Sequence, residues 1–395
     1  MASAVVFQQP PVPYWRLSGG YFAYFAVIGA LVPYLNPYFK LLGCTPAQIG
    51  LLTGALVAGR IVAPTLWGWI ADHHGGRMRV VRASFLLSLL SFLPLLWIKS
   101  YVPLLTVMLI FGFFWSASLP QFEAVTFSHL GDSTAAYARI RVWGSIGFIV
   151  TVMLLGWAFQ RTGLAPLPAV LAGLLAAACL MSLYTPERRV PRPPPAPVHL
   201  GRVLMQPRVA ALLAACLLTQ VSYGPYYNFY TIYLEEQGYA RGVVGELWAL
   251  GVAAEVLLFL VMHRLLAFLP LRLLMLLSIA ATVVRWLMIA AFVHWLFVLV
   301  LAQLLHALSF GMQHVAAVQL IHRYFTGRHQ GRGQALYSSV AYGVGGAAGA
   351  LSSGYLWEAQ GPAVTFTAAS LLGVLAYLIA WRWLEGAAQP QAITV

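Results

Sequence analysis

Charge is what this chain has least of. Only 8% of its 395 residues are Asp, Glu, Lys or Arg, and the acidic side chains number 10 against 23 basic ones. With 61% hydrophobic residues, so few charges leave too little polar surface to cover a water-soluble fold of this size. Lysine is rarer still, with Lys40 and Lys99 the only two. Neither follows a glycine-rich loop, so a P-loop and an ATP-driven pump are excluded. The absence of His-Glu-x-x-His and of Gly-x-Ser-x-Gly removes the readiest protease and hydrolase readings, and the chain is read as no enzyme. Its three cysteines, Cys44, Cys179 and Cys216, are scattered without metal spacing or evident pairing, so neither metal nor cofactor is expected.

What the chain does have is apolar runs of about 20 residues, each long enough to cross a bilayer core of about 30 Å. Hydropathy places twelve spans, near 15–39, 46–70, 80–98, 102–127, 138–160, 166–184, 208–234, 243–264, 270–291, 295–320, 332–356 and 363–384. The expected fold class is therefore an all-α polytopic membrane protein with twelve transmembrane helices. The first run continues as a full span and lacks a cleavage-like site, so no removable signal peptide is expected.

The net charge of +13 does not point to nucleic acid, because the basic residues alternate between loops and do not gather on one face. One set of loops and ends carries Arg16, Arg77, Arg79, Arg82, Arg139, Arg141, Arg188, Arg189, Arg192, Arg202, Arg208, Arg264, Arg272, Arg323, Arg328, Arg332 and Arg382. The other set carries Lys40, Lys99, Arg161 and Arg241. That asymmetry of 17 to 4 puts both termini in the cytoplasm and the chain in the inner, cytoplasmic membrane.

The longest inner connection, 186–207, begins Pro-Glu-Arg-Arg-Val-Pro-Arg-Pro-Pro-Pro and favours an extended, solvated chain. It divides the protein into six-helix bundles at 1–185 and 208–395. Shifting the sequence by 195 residues superposes Gly29 on Gly224, Tyr38 on Tyr233, Gly43 on Gly238, Gly50 on Gly245 and Arg60 on Glu255. Internal symmetry between two six-helix halves is a transporter signature, with the binding site near the midplane between them.

The functional candidates are the few ionisable groups inside the spans, which cost free energy unless paired. Glu123 lies near the inner end of the fourth span, and Arg141 about one turn into the fifth, at similar depth. They form either a binding pair or an interfacial salt bridge that only fixes two helix ends. Glu255 lies about 15 Å into the eighth span, near mid-membrane. A carboxylate there takes and releases a proton readily, unless a buried pair with Arg60 or Arg285 makes it purely structural. His306 and His314 are eight residues apart and are expected on one face, with His306 the better proton carrier. In the seventh span, Gly224-Pro225 loosens the helix, and Tyr223, Tyr227 and Tyr230 share a face able to stack on a ring. Tyr233 is read as part of an interfacial aromatic belt. Gly343, Gly345, Gly346 and Gly349 make a packing surface in the eleventh span.

Two sets of motifs resemble known families. The stretch Gly68-Trp-Ile-Ala-Asp72-His-His-Gly-Gly76-Arg77-Met-Arg79 resembles the loop signature of the major facilitator superfamily, with Arg60, Asp72 and Arg77 as gating or structural charges. Arg-Val-Trp-Gly-Ser (141–145), Leu-Trp-Ala-Leu-Gly-Val-Ala-Ala-Glu-Val (247–256), Val-Arg-Trp (284–286) and Gln-Leu-Leu-His (303–306) resemble the 3-phenylpropionate transporter family. That family is a proton-coupled branch of the superfamily, near the nucleoside:proton symporters. More distantly the chain is similar to the lactose permeases. Their Pro-x-x-Glu-Ala, followed 18 residues later by Arg, falls on Glu123 and Arg141, and their ninth-span Arg and tenth-span His fall on Arg285 and His306. Two departures matter. The permease carboxylate that carries the proton falls on Ser309, and a sugar-binding Glu falls near Trp248.

The resemblance implies proton-coupled uptake of a small organic solute, first an aromatic carboxylate such as 3-phenylpropionate, by a monomer in the lipid bilayer. Arg141 or Arg285 would clamp the carboxylate, Tyr227 and Tyr230 would stack on the ring, and Glu255 with His306 would carry the proton. The alternatives are a nucleoside or sugar symporter, an efflux antiporter, and a transporter-like membrane sensor.

Overall fold

A computed structural model describes residues 12–74, 76–131, 134–188, 201–326 and 330–384. Among the described residues every regular element is helical, as it must be where lipid offers the backbone no hydrogen-bond partner. The helices are α1 (Tyr14–Leu41), α2 (Pro46–His74), α3 (Arg77–Leu96), α4 (Tyr101–Leu130), α5 (Thr134–Thr162) and α6 (Leu167–Tyr184). After a short turn of helix at Gly201–Leu204 come α7 (Pro207–Glu236), α8 (Arg241–Phe268), α9 (Leu271–Phe292) and α10 (Leu296–Tyr324).

The last candidate span, Gln330–Trp383, has 54 residues, which at about 1.5 Å each would be far longer than a bilayer is thick. It is two helices. Gly361 (φ 80°, ψ −178°) breaks it, and Pro362 then starts the second. Residues 330–360 form α11 and 362–383 form α12. The expected twelve spans are thus present, each within a few residues of its observed bounds. Of the Pro-rich connection, residues 189–200 lie outside the described residues.

α7 is interrupted at Tyr223 because Pro225 has no N–H to give the Val221 carbonyl. α11 crosses at this point. A Cβ on Gly349 would lie 2.6 Å from the Val221 oxygen, so only glycine permits the approach. Two further stretches are π-helical, Ala307–Met312 in α10 and Ser338–Gly345 in α11.

α1 packs on α5, α6 and α7; α2 on α4 and α11; α8 on α5 and α10. The 195-residue shift reappears in this packing. Gly50 lets α2 meet α11 at Gly354, and its counterpart Gly245 lets α8 meet α5 at Gly156 and Val152. Gly43 and Gly238 turn the chain after α1 and α7 with φ of 84° and 86°.

The first six helices bond to the last six mainly at one end. There Lys40 pairs with Glu236 at 2.6 Å, the Ala47 amide donates to Glu358 at 2.9 Å, and the Gly242 amide donates to Gln160 at 3.2 Å. Arg241 bonds Glu235 at 2.7 Å and also donates to the Phe159 carbonyl at 3.2 Å. Deeper in, a buried polar chain crosses four helices. Thr53 donates to Asn36 at 2.8 Å, Asn36 to the Asn228 carbonyl at 3.1 Å, and Asn228 to Ser353 at 3.1 Å. At the arginine-rich end Arg77 binds Asp72 at 2.9 Å, and Arg82 caps α6 through the carbonyls of Ser182, Leu183 and Thr185.

Candidate functional site

Arg141 projects from α5 and lies face-on to Phe25 of α1, its guanidinium carbon 3.9 Å from the ring centroid. Among the described residues it has no hydrogen-bond or ion-pair partner within 4.0 Å. Glu123 on α4 instead accepts from the Tyr137 hydroxyl at 3.2 Å. The two charges singled out in the sequence therefore occupy one site without forming a salt bridge. Arg141 also lies within Coulombic reach of Glu255 and His314, on helices of the last six. The charged centre thus spans both sets of helices.

Glu255 on α8 is half-buried, its Oε2 3.9 Å from His306 Nε2 on α10. Gly311, inside the π-helical turn, leaves room for it, since a Cβ there would lie 3.0 Å from Glu255 Cγ. In an uninterrupted α-helix, residues eight apart sit about 80° out of line. The π turn absorbs that error. His306, Phe310 and His314 form a row of nearly parallel rings, with centroids 5.4 and 6.4 Å apart and interplanar angles of 7° and 10°. His314 Nδ1 bonds the Tyr342 hydroxyl at 2.9 Å.

Arg285 is fully enclosed. Its Nε donates to the Ala302 carbonyl at 2.9 Å and its Nη2 to Gln303 at 3.1 Å. Tyr226 and Trp286 cover it, with ring centroids 4.1 and 4.8 Å from its guanidinium carbon. The expectation that Arg285 clamps a solute is not met in this conformation, because aromatic faces and Gln303 occupy the space around it. Tyr226 and Gln303, themselves joined at 3.1 Å, were not singled out in the sequence, although Gln303 opens the Gln-Leu-Leu-His motif.

The tyrosines of α7 separate by depth. Tyr227 is half-buried and stacks on Tyr223 at 5.5 Å, while Tyr230 is fully buried behind Trp248 at 5.8 Å and lines no open surface. Tyr233 is no interfacial belt residue. It is 5% exposed and packs on Trp357 and Phe366.

Arg60, half-buried in α2, forms no ion pair with Glu255. α2 packs on α4 and α11 while α8 packs on α5 and α10, so the structural alternative of a buried Arg60–Glu255 pair is not realised in this conformation. Asp72 and Arg77 are joined to each other at 2.9 Å. Phe25 and Tyr137 had no signal of their own, being an apolar and an interfacial aromatic residue among many.

A bundle of twelve membrane helices with charged groups gathered between its two sets of six defines a secondary transporter, not an enzyme. The pattern of the MFS_1 like family matches residues 14–368, and the chain belongs to that family of the major facilitator superfamily. It is 31% identical over 358 residues to the probable 3-phenylpropionic acid transporter of Escherichia coli (strain K12), covering 88% of this chain and 92% of the relative. It is 27% identical over 373 residues to the maltose permease of Geobacillus stearothermophilus, covering 91% and 92%. In fold it is similar to the nucleoside transporter NupG, with a TM-score of 0.79 at 18% identity, covering 94% of this chain and 99% of that one. The POT family transporter PepTSo gives 0.77 at 12% identity, covering 95% and 98%.

Proposed function

We propose that this transporter takes up a small aromatic carboxylate with a proton, the carboxylate docking on Arg141. The observation that carries the reading is the unpaired guanidinium, stacked on Phe25 with its donor edge free. A planar fork of that kind matches a carboxylate in a two-point contact. Phe25 supplies a ring face beside Arg141, Tyr227 and Phe310 both pack on Tyr223, and Glu255 with His306 supplies a proton site. The 31% relative, a probable 3-phenylpropionic acid transporter, supports the substrate class.

The two bundles, 1–185 and 208–395, rock about this centre. With the arginine-rich loops in the cytoplasm, the Lys40 end faces outward and is held shut by its cross-bundle bonds. The protein works as a monomer in the inner membrane.

The test is uptake into proteoliposomes of labelled 3-phenylpropionate, a nucleoside and a disaccharide, with and without an inward proton gradient. Gradient-dependent uptake of the aromatic acid alone is expected. Calorimetry then compares wild type with Arg141→Lys, where affinity should fall at least tenfold. Undiminished affinity in that variant, or uptake of the nucleoside or disaccharide instead, overturns the reading.

A further inference from the structure

We infer that Phe25 is a positioning residue whose ring holds Arg141 away from Glu123 and so keeps the guanidinium open to an anionic solute. The inference rests on Arg141 as the carboxylate receptor, but it concerns what keeps that receptor free.

Arg141 lies one turn after Tyr137 on α5, and Tyr137 bonds Glu123, so the opposite charges are neighbours in an interior that weakens attraction far less than water does. Left alone they would close into a bidentate pair, and each would then use up the donors or acceptors of the other. They do not close. Each is tethered by an aromatic residue on a helix next to its own: Glu123 of α4 by the Tyr137 hydroxyl of α5 at 3.2 Å, and Arg141 of α5 by the Phe25 ring of α1 at 3.9 Å. The ring takes the cation over its own face without accepting a conventional hydrogen bond, so the N–H donors are not used up.

The stack is built in by a neighbouring residue. Gly144, one turn after Arg141, is the slot that admits the ring. A Cβ there would lie 2.6 Å from Phe25 Cδ2 and 2.7 Å from Arg141 Nη1. Any side chain at 144 would displace one partner of the stack. Phe25 also meets Tyr24 edge-on at 5.1 Å, and Tyr24 is in turn stacked flat on Trp115 at 4.4 Å. If Phe25 only filled space, a leucine would replace it and the charge on Glu123 would be irrelevant to its loss.

The test reads Arg141 directly and needs no solute. Purified protein is treated with phenylglyoxal, and the adduct at Arg141 is quantified by peptide mass spectrometry. In wild type Arg141 should label readily. In Phe25→Leu and Phe25→Ala, labelling should fall several-fold as the guanidinium closes on Glu123. It should recover in Phe25→Ala combined with Glu123→Gln, and Phe25→Tyr should behave as wild type. Gly144→Ala should reproduce Phe25→Ala by a different route, which covers the case where Phe25→Ala fails to fold. Labelling that is equal in wild type, Phe25→Leu and Gly144→Ala overturns the inference, and so does a loss that Glu123→Gln leaves unrepaired.

Calorimetry with 3-phenylpropionate runs alongside, with at least a tenfold loss of affinity expected in Phe25→Ala and recovery in the double variant. If labelling follows the expected pattern while 3-phenylpropionate binding ignores Arg141, the substrate reading fails and the positioning role of Phe25 stands.

Discussion

Glu255 Oε2 stands 3.9 Å from His306 Nε2, facing it across the contact between α8 and α10, and among the described residues neither forms an ion pair with an arginine. At that separation, away from water, a single proton costs less on the carboxyl, where both groups are neutral, than on the imidazole, where two charges are buried. Glu255→Gln fixes the protonated shape. It should retain solute exchange across proteoliposome membranes while accumulation against a gradient falls at least tenfold. His306→Gln is the control. If it abolishes accumulation while Glu255→Gln does not, the proton belongs to the histidine.

The chain Thr53–Asn36–Asn228–Ser353 closes the Lys40 end through buried hydrogen bonds from four helices. Asn36→Ala removes two of them at about 1 kcal/mol each, enough to shift a two-state opening equilibrium by roughly tenfold or more. Cysteines in place of Lys40 and Glu236 report the closure, and the exposed ion pair they replace contributes little. Their disulfide yield should drop several-fold when Asn36→Ala is added, and a constant yield would remove the polar chain from the gate.

Two glycine substitutions should move stability in opposite directions. At Gly349 a Cβ meets the backbone of Val221 at 2.6–3.2 Å, and backbone cannot step aside, so Gly349→Ala should cost about 1–3 kcal/mol. Gly173, exposed on α6, has nothing within 4 Å. There Gly173→Ala gains helix propensity of up to about 1 kcal/mol. Thermal unfolding in detergent should rank them below and above wild type.

The helices were legible because lipid leaves the backbone one solution and because hydropathy marks depth. The break before Pro362 and the matched turns at Gly43 and Gly238 were legible because proline and glycine carry backbone meaning in any context. Arg60 and Glu255 superpose in the repeat yet do not pair, for a geometric reason. A repeat relates equivalent positions without bringing them together, and here α2 meets α11 as α8 meets α5. Arg285 and Tyr230 show a second gap. Their place in the chain told that they were inside, but whether they face solute depends on neighbours such as Tyr226 and Trp248, which no spacing reveals. Phe25 shows a third, since one phenylalanine in an apolar helix resembles every other until a cation is found on its face.

The π-helical turn Ala307–Met312 also changes how the rest of α10 must be read. One residue is absorbed there without lengthening the ring row, so residues 313–324 sit about 100° away from where a helical wheel begun at Leu296 would put them. Substitutions beyond Met312 therefore exchange faces with their neighbours on any such wheel. A position drawn toward lipid can be one that faces Tyr342, as His314 does. Deleting a single residue within the turn would restore an ordinary α-helix and leave residues 313–324 on the faces they now present, whereas straightening the turn without a deletion would swing that segment by about 100°.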